Sequence, residues 1–178
     1  MEYWIIYDLA SGEDRLRGSG PAGTAALQSV PEGFGLALVP AGAVLGQAID
    51  LELIRAASTS QIDAMAEAIR MSFLTPGAGQ AMTYQRKEAE ARAWINDQQT
   101  ATPFLDAEAA ARDVTLADLA AEVVRLADAW TATGATIEGA RMGAKAAVAR
   151  AETLGAIVEA SKVEWRSLVS SAAERGAA

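Results

Sequence analysis

Leu116-Ala117-Asp118-Leu119-Ala120-Ala121-Glu122-Val123-Val124-Arg125-Leu126-Ala127-Asp128-Ala129-Trp130 opens the stretch of this 178-residue chain on which its fold turns. Alternate steps of three and four residues from Leu116 meet Leu119, Val123, Leu126, Trp130, Thr133, Ile137, Ala140, Ala144, Ala147, Ala151, Leu154, Val158, Ser161, Trp165, Leu168 and Ala172. Only Thr133 and Ser161 interrupt an apolar seam sustained over eight heptads. A 3.5-residue period keeps one face of a helix against a partner, which is what a coiled coil or a long bundle helix requires. The pattern predicts a helix over residues 115–173, with Thr115 as its N-cap and Asp118 at the third position. Its oligomer-interface candidates are Leu116, Leu119, Val123, Leu126, Trp130, Ile137, Leu154, Val158, Trp165 and Leu168.

The middle seam positions, Ala140, Ala144, Ala147 and Ala151, are all alanine, so neighbouring helices can approach closely while little apolar area is buried. Gly134, Gly139, Gly143 and Gly155 weaken the helix, and a break at Gly134 would fold it back on itself. Unbroken, it would span roughly 85 Å and need other chains to cover its seam.

Upstream, the composition from Ser58 onward already favours helices. Ser60 reads as the N-cap of a helix over 60–74, with Asp63 three residues on. Thr75-Pro76-Gly77-Ala78-Gly79 interrupts, and helices over 80–96 and 104–112 follow, the second opened by Pro103. Within the first of these, Arg86 with Glu90 and Glu88 with Arg92 are ion pairs at helical spacing on a wet face, and Glu138, Arg141 and Lys145 form a similar set beside the seam. Tyr84, Trp94 and Ile95 read as packing residues.

The first 57 residues read differently. Tyr-Trp-Ile-Ile-Tyr at 3–7 is aromatic and β-branched, residues 8–14 form a turn, and Arg15-Leu16-Arg17 returns as the second strand of a hairpin. Residues 24–30 fit one or two helical turns, 33–39 a further strand, and 48–54 alternate apolar with acidic as a strand with one wet face. The expected fold is therefore α+β: an N-terminal antiparallel β module over 1–57, then an alanine-rich region of long helices, coiled-coil-like or bundled, over 58–178.

Composition excludes much chemistry. The chain has no Cys and no His, so disulfides, thiolate nucleophiles, Cys/His zinc sites and imidazole acid–base work are absent. The net charge is −8, with seven acids against three bases in residues 1–56 and sixteen against twelve beyond. No basic stripe interrupts that balance, which argues against nucleic-acid binding. The start lacks a secretory pattern, and the longest uncharged stretch, 33–49, is too short and too rich in Gly and Pro to span a membrane.

Gly18-Ser19-Gly20-Pro21-Ala22-Gly23 matches the dinucleotide fingerprint in its letters. The fingerprint works where a buried parallel strand feeds a helix whose free amides meet phosphate. Here a hairpin precedes it and Pro21 removes an amide, so a flexible loop is the expectation. Glu13-Asp14 and Asp50 with Glu52 are acid pairs that lack the companions of a metal or glycosidase site, and read as solvated. No catalytic residue, cofactor or metal is expected.

Residues 78–92 (Ala-Gly-Gln-Ala-Met-Thr-Tyr-Gln-Arg-Lys-Glu-Ala-Glu-Ala-Arg), with Pro103-Phe104-Leu105, Ile137-Glu138-Gly139-Ala140-Arg141 and Lys145, resemble a helical region of tail-associated proteins of tailed bacteriophages and prophages. The resemblance covers residues 78–152 and is carried by small residues with Tyr84, Lys87, Glu88, Glu138 and Arg141. The N-terminal module, from Trp4 to Leu53, loosely resembles the β modules that begin many fibre and fibre-assembly proteins. What this implies is a non-enzymatic virion protein of the tail tip, baseplate or fibre attachment point, made in the bacterial cytoplasm. It would form a homo-oligomer, a trimer, and contact other tail proteins without binding nucleic acid or inserting into a membrane. The alternatives are a fibre-assembly chaperone that is not retained in the particle and, further off, a glycan-acting enzyme.

Overall fold

A computed structural model describes residues 1–73 and 77–169. It is an α+β protein: three antiparallel strands precede five helices. The strands β1 (Glu2–Asp8), β2 (Asp14–Gly20) and β3 (Phe34–Val39) lie in the order β2-β1-β3. The aromatic and β-branched run of β1 takes the centre, where both edges are paired and both faces can be covered. Tyr3 to Asp8 pair residue by residue with Val39 to Phe34, while on the other side a bulge between Ile6 and Tyr7 shifts the register.

Asp8 shapes the β1–β2 turn. Its Oδ1 accepts the N–H groups of Ala10 and Ser11 at 2.9 and 3.0 Å, a side-chain turn of the kind aspartate favours. Gly12 then takes φ +73° and donates to the Asp8 carbonyl.

Gly18 and Gly20, expected in a flexible loop, are instead residues of β2. The reason is steric: Trp4 pairs with Gly18 across the strands, and a Cβ there would stand 2.4 Å from the indole. The glycine makes room for the ring. Residues 25–27 form one 3-10 turn in the stretch where helical turns were expected.

Among the described residues, five helices with both ends defined follow: α1 (Leu51–Met71), α2 (Ala78–Asn96), α3 (Pro103–Arg112), α4 (Leu116–Arg150) and α5 (Leu154–Ser161). Of the expected strand over 48–54, residues 51–54 are the first turn of α1 and 48–50 are the loop that enters it, so the last strand ends at Val39. Asp50 decides it: its carboxylate accepts the Leu53 N–H at 3.0 Å and its carbonyl accepts that of Ile54. This is N-capping, with Glu52 favourably placed in the first turn. Ser60 accordingly lies inside the helix and caps nothing. The expected end of this helix at 74 and the Thr75-Pro76 interruption lie outside the described residues.

α4 runs without a break through Gly134. Its start is as expected, with Thr115 Oγ1 accepting the Asp118 N–H at 3.0 Å. Its end is not, because the seam does not continue in one helix to 173. The chain leaves helical geometry after Arg150, and Thr153 caps α5 by accepting the Ala156 N–H. Arg55 holds this corner, donating from Nη2 and Nε to the Ala151 carbonyl at 2.6 and 3.2 Å. Residues 170–173 of the expected helix lie outside the described residues.

The chain divides into two units. Among the described residues, one comprises 1–67 and 138–165 and the other those of 68–137 with 166–169, so α1 and α4 contribute to both. In the first, Ile5 and Tyr7 of the sheet, Ile54 and Ile62 of α1, Val148 of α4 and Leu154 and Ile157 of α5 are buried. α5 meets the hairpin through a close backbone approach: Gly155 donates to the Gly12 carbonyl at 3.0 Å, and a Cβ on Gly155 would be 2.7 Å from the Gly12 Cα. In the second, Ala91, Leu105, Ala109, Leu119 and Ala120 form a core flanked by Trp94, Leu116, Val123 and Val124.

Candidate functional site

The second unit is held by a carboxylate that the sequence reading placed on a wet helix face. Glu90 of α2 is 3% exposed, and its Oε2 accepts the Phe104 and Leu105 N–H groups at 3.0 and 3.2 Å. Those are free amides at the start of α3, whose own Thr102 makes no side-chain cap. Glu90 thus caps α3 from a neighbouring helix, at the end whose dipole favours an anion. Arg86 donates to its other oxygen at 3.0 Å, so the expected Arg86–Glu90 pair is made between an exposed guanidinium and a buried carboxylate. The missed signal is positional: Pro103 announces a helix start, but only the fold reveals which side chain reaches it.

Further ion pairs join α2 and α3 to each other and to α4. Lys87 of α2 meets Glu108 of α3 at 2.5 Å, and Arg112 of α3 bridges Glu108 and Glu122 of α4. Lys87, first, and Arg112 hold the Glu108 carboxyl below its usual range. Arg92 of α2 joins Glu88, as expected, and also Asp128 of α4. Trp94 packs on the core as expected, whereas Tyr84 and Ile95 are exposed.

In the first unit, Asp63 of α1 accepts Lys145 at 2.7 Å and Arg141 at 2.6 Å, and Arg141 also pairs with Glu138 at 2.7 Å. Lys145, ahead of Arg141, keeps the Asp63 carboxyl below the ordinary carboxylate range. This joins the expected Glu138, Arg141 and Lys145 set to α1. Opposite charges are matched there, and the cluster serves as an interhelix tie. The acids of the remaining pairs, Glu13, Asp14, Asp50 and Glu52, are all exposed as expected, with Asp14 meeting Arg17, Glu52 meeting Arg55 and Asp50 capping α1.

The ten interface candidates divide by burial. Leu119, Ile137, Leu154 and Trp165 are buried inside the chain; Leu116, Val123, Trp130, Val158 and Leu168 are half-buried; Leu126 is 52% exposed. A position buried in its own chain cannot present the same side chain to another without opening the fold, so a single seam does not face outward.

Beside the seam, α4 carries a stripe on which Ala121, Arg125 and Asp128 are exposed, while Ala129 is half-buried and Val124 is half-buried against the core. Ala121, Val124, Arg125, Asp128 and Ala129, at successive helical spacing, line a hollow of about 490 Å³ with Ile95 of α2. Its floor is aliphatic and small, and Ile95 is 52% exposed. Arg125 makes no hydrogen bond or ion pair among the described residues. Asp128 engages Arg92 through Oδ1 alone.

Among the described residues no group of three or more acids is arranged to hold a metal ion, and no helix is long and apolar enough to cross a membrane. Comparison with known protein families, with curated proteins and with solved structures finds no match.

Proposed function

We propose that this chain is a structural component of a bacteriophage or prophage tail, at the tail tip, baseplate or fibre attachment point, and that it assembles by packing its helical unit against other chains. The observation that carries the reading is the thinness of the second unit's core. Of its buried apolar side chains among the described residues, only Leu105, Leu119 and Ile137 are larger than alanine. Alanine contributes little burial energy, and units poor in core are ordinarily completed by partners. Met82, Ile95, Phe104 and Leu126 of the same unit stand exposed, so apolar surface remains for such partners. The tail setting is supported by the resemblance of residues 78–152, which supply α2, α3 and α4.

Quantitative mass spectrometry of purified particles from a lysate that makes this chain tests the setting. A fixed copy number per particle, retained through density-gradient purification, is the expected result. Abundance in the lysate with loss from finished particles contradicts a virion component and leaves the assembly-chaperone role.

A further inference from the structure

We propose that the stripe of α4 formed by Ala121, Val124, Arg125, Asp128, Ala129 and Ala132 is the contact through which two copies of this chain associate, antiparallel and about a two-fold axis. This deepens the assembly reading above, naming the partner as a second copy and the face as this stripe.

The order of residues along the stripe is symmetric about one point. Counted from the midpoint between Leu126 and Ala127, Arg125 stands as far to one side as Asp128 stands to the other. The same holds for Val124 with Ala129 and for Ala121 with Ala132. A two-fold axis at that midpoint, perpendicular to the helix, brings each residue to the level of its mate in the second copy, as an isologous contact demands. Arg125 then faces Asp128 of the second copy, and the reverse pair forms on the other side of the axis. Aliphatic and small side chains meet beyond them, and alanines allow the helix axes to approach closely.

The charges make a second copy the fitting occupant. Arg125 is without an ion partner among the described residues, in a chain of net charge −8. Asp128 has used only Oδ1, and a carboxylate accepts several hydrogen bonds, so Oδ2 is open to a guanidinium. A foreign partner of one charge sign would satisfy one of these groups and oppose the other. A second copy satisfies both. The hollow beside them, with Ile95 exposed at its edge, is where further apolar surface would be covered.

A contact of this symmetry also explains why the three-fold arrangement expected from the heptad seam is not needed. The seam's Leu119 and Ile137 are occupied inside the chain, and the outward stripe pairs two copies.

The test uses the full-length chain, with mass measured by light scattering after size exclusion over a wide concentration range. The wild type is expected at twice the 18.5 kDa of one chain. Arg125→Asp alone and Asp128→Arg alone each place like charges opposite one another, and each is expected at the mass of one chain. Mixing the two folded variants restores opposite charges in every pair and is expected to restore the doubled mass. Arg125→Glu removes no hydrogen bond or ion pair among the described residues, so it reports on the face even if Asp128→Arg loses helicity with its Arg92 pair. Doubled mass in Arg125→Glu, or no doubling in a mixture of two helical variants, overturns the inference. A wild type at one-chain mass throughout overturns it together with self-assembly, whereas an oligomer indifferent to Arg125→Glu overturns this face alone.

Discussion

In residues 1–67 and 138–165, side chains from sheet and helices are buried together: Ile5, Tyr7, Ile54, Ile62, Val148, Leu154 and Ile157. Among the described residues of 68–137, half of the buried apolar set is alanine, with Leu105, Leu119 and Ile137 the larger members, and charged groups do more of the joining, with Glu90 capping α3 and Lys87, Arg92 and Arg112 bridging three helices. The difference is one of specificity as well as energy. Apolar burial scales with area, whereas a buried cap acts at one geometry and is costly to leave half-made. The second unit therefore depends on a few polar contacts and on surface that partners can cover.

The largest expected losses come from the few large side chains that either core has. Ile157→Ala in the first unit and Leu105→Ala in the second should each cost about 3 kcal/mol in urea unfolding, since both positions are fully buried. Leu126→Ala, exposed on the second unit, should change the same measurement by less than about 0.5 kcal/mol. Equal losses at Leu105 and Leu126 would break the description of that core.

Glu90→Ala should come next, at about 2 kcal/mol, because it leaves the Phe104 and Leu105 amides without their acceptor. Glu90→Gln keeps an acceptor and should restore about half of that loss. Hydrogen exchange at Phe104 and Leu105 sharpens this test, as their protection should fall most.

In the first unit, Gly155→Ala should cost about 1–3 kcal/mol by overpacking against the Gly12 backbone. Gly139→Ala on α4 meets nothing within 4 Å and should raise thermal stability by up to about 1 kcal/mol through helix propensity alone. A loss at Gly139 would point to a tight contact at that face.

Acid should act on both units. The Asp63 and Glu108 carboxyls titrate lower in the folded chain than in the unfolded one. Their stabilisation is therefore present above the ordinary carboxylate value of about 4 and is lost as pH falls through the lower folded values. Urea midpoints should drop below about pH 4, and Asp63→Asn should flatten that drop.

The β module and the order of strands and helices were legible in the sequence because β-branched runs, turn residues and helix formers are local signals. The strand reading of 48–54 failed because a short apolar–acidic alternation also suits a capped helix start, and Asp50 supplied the cap. Gly18 read as loop because nothing local shows that Trp4 lies across it. The heptad seam was real as a pattern, yet its end at Arg150 was set by Arg55, a residue 95 positions earlier. Glu90 was legible as half of an ion pair, not as the cap of another helix. The Arg125 and Asp128 stripe escaped notice because it lies beside the seam, and its character shows only once the seam's members are known to be buried.

The most direct test of the central claim, that the helical unit is completed by another chain, is sedimentation equilibrium of the purified full-length protein over a wide concentration range. The account predicts a reversible rise from one-chain mass to an oligomer, removed by Arg125→Glu. One-chain mass at every concentration, with full helicity and cooperative unfolding, would contradict it.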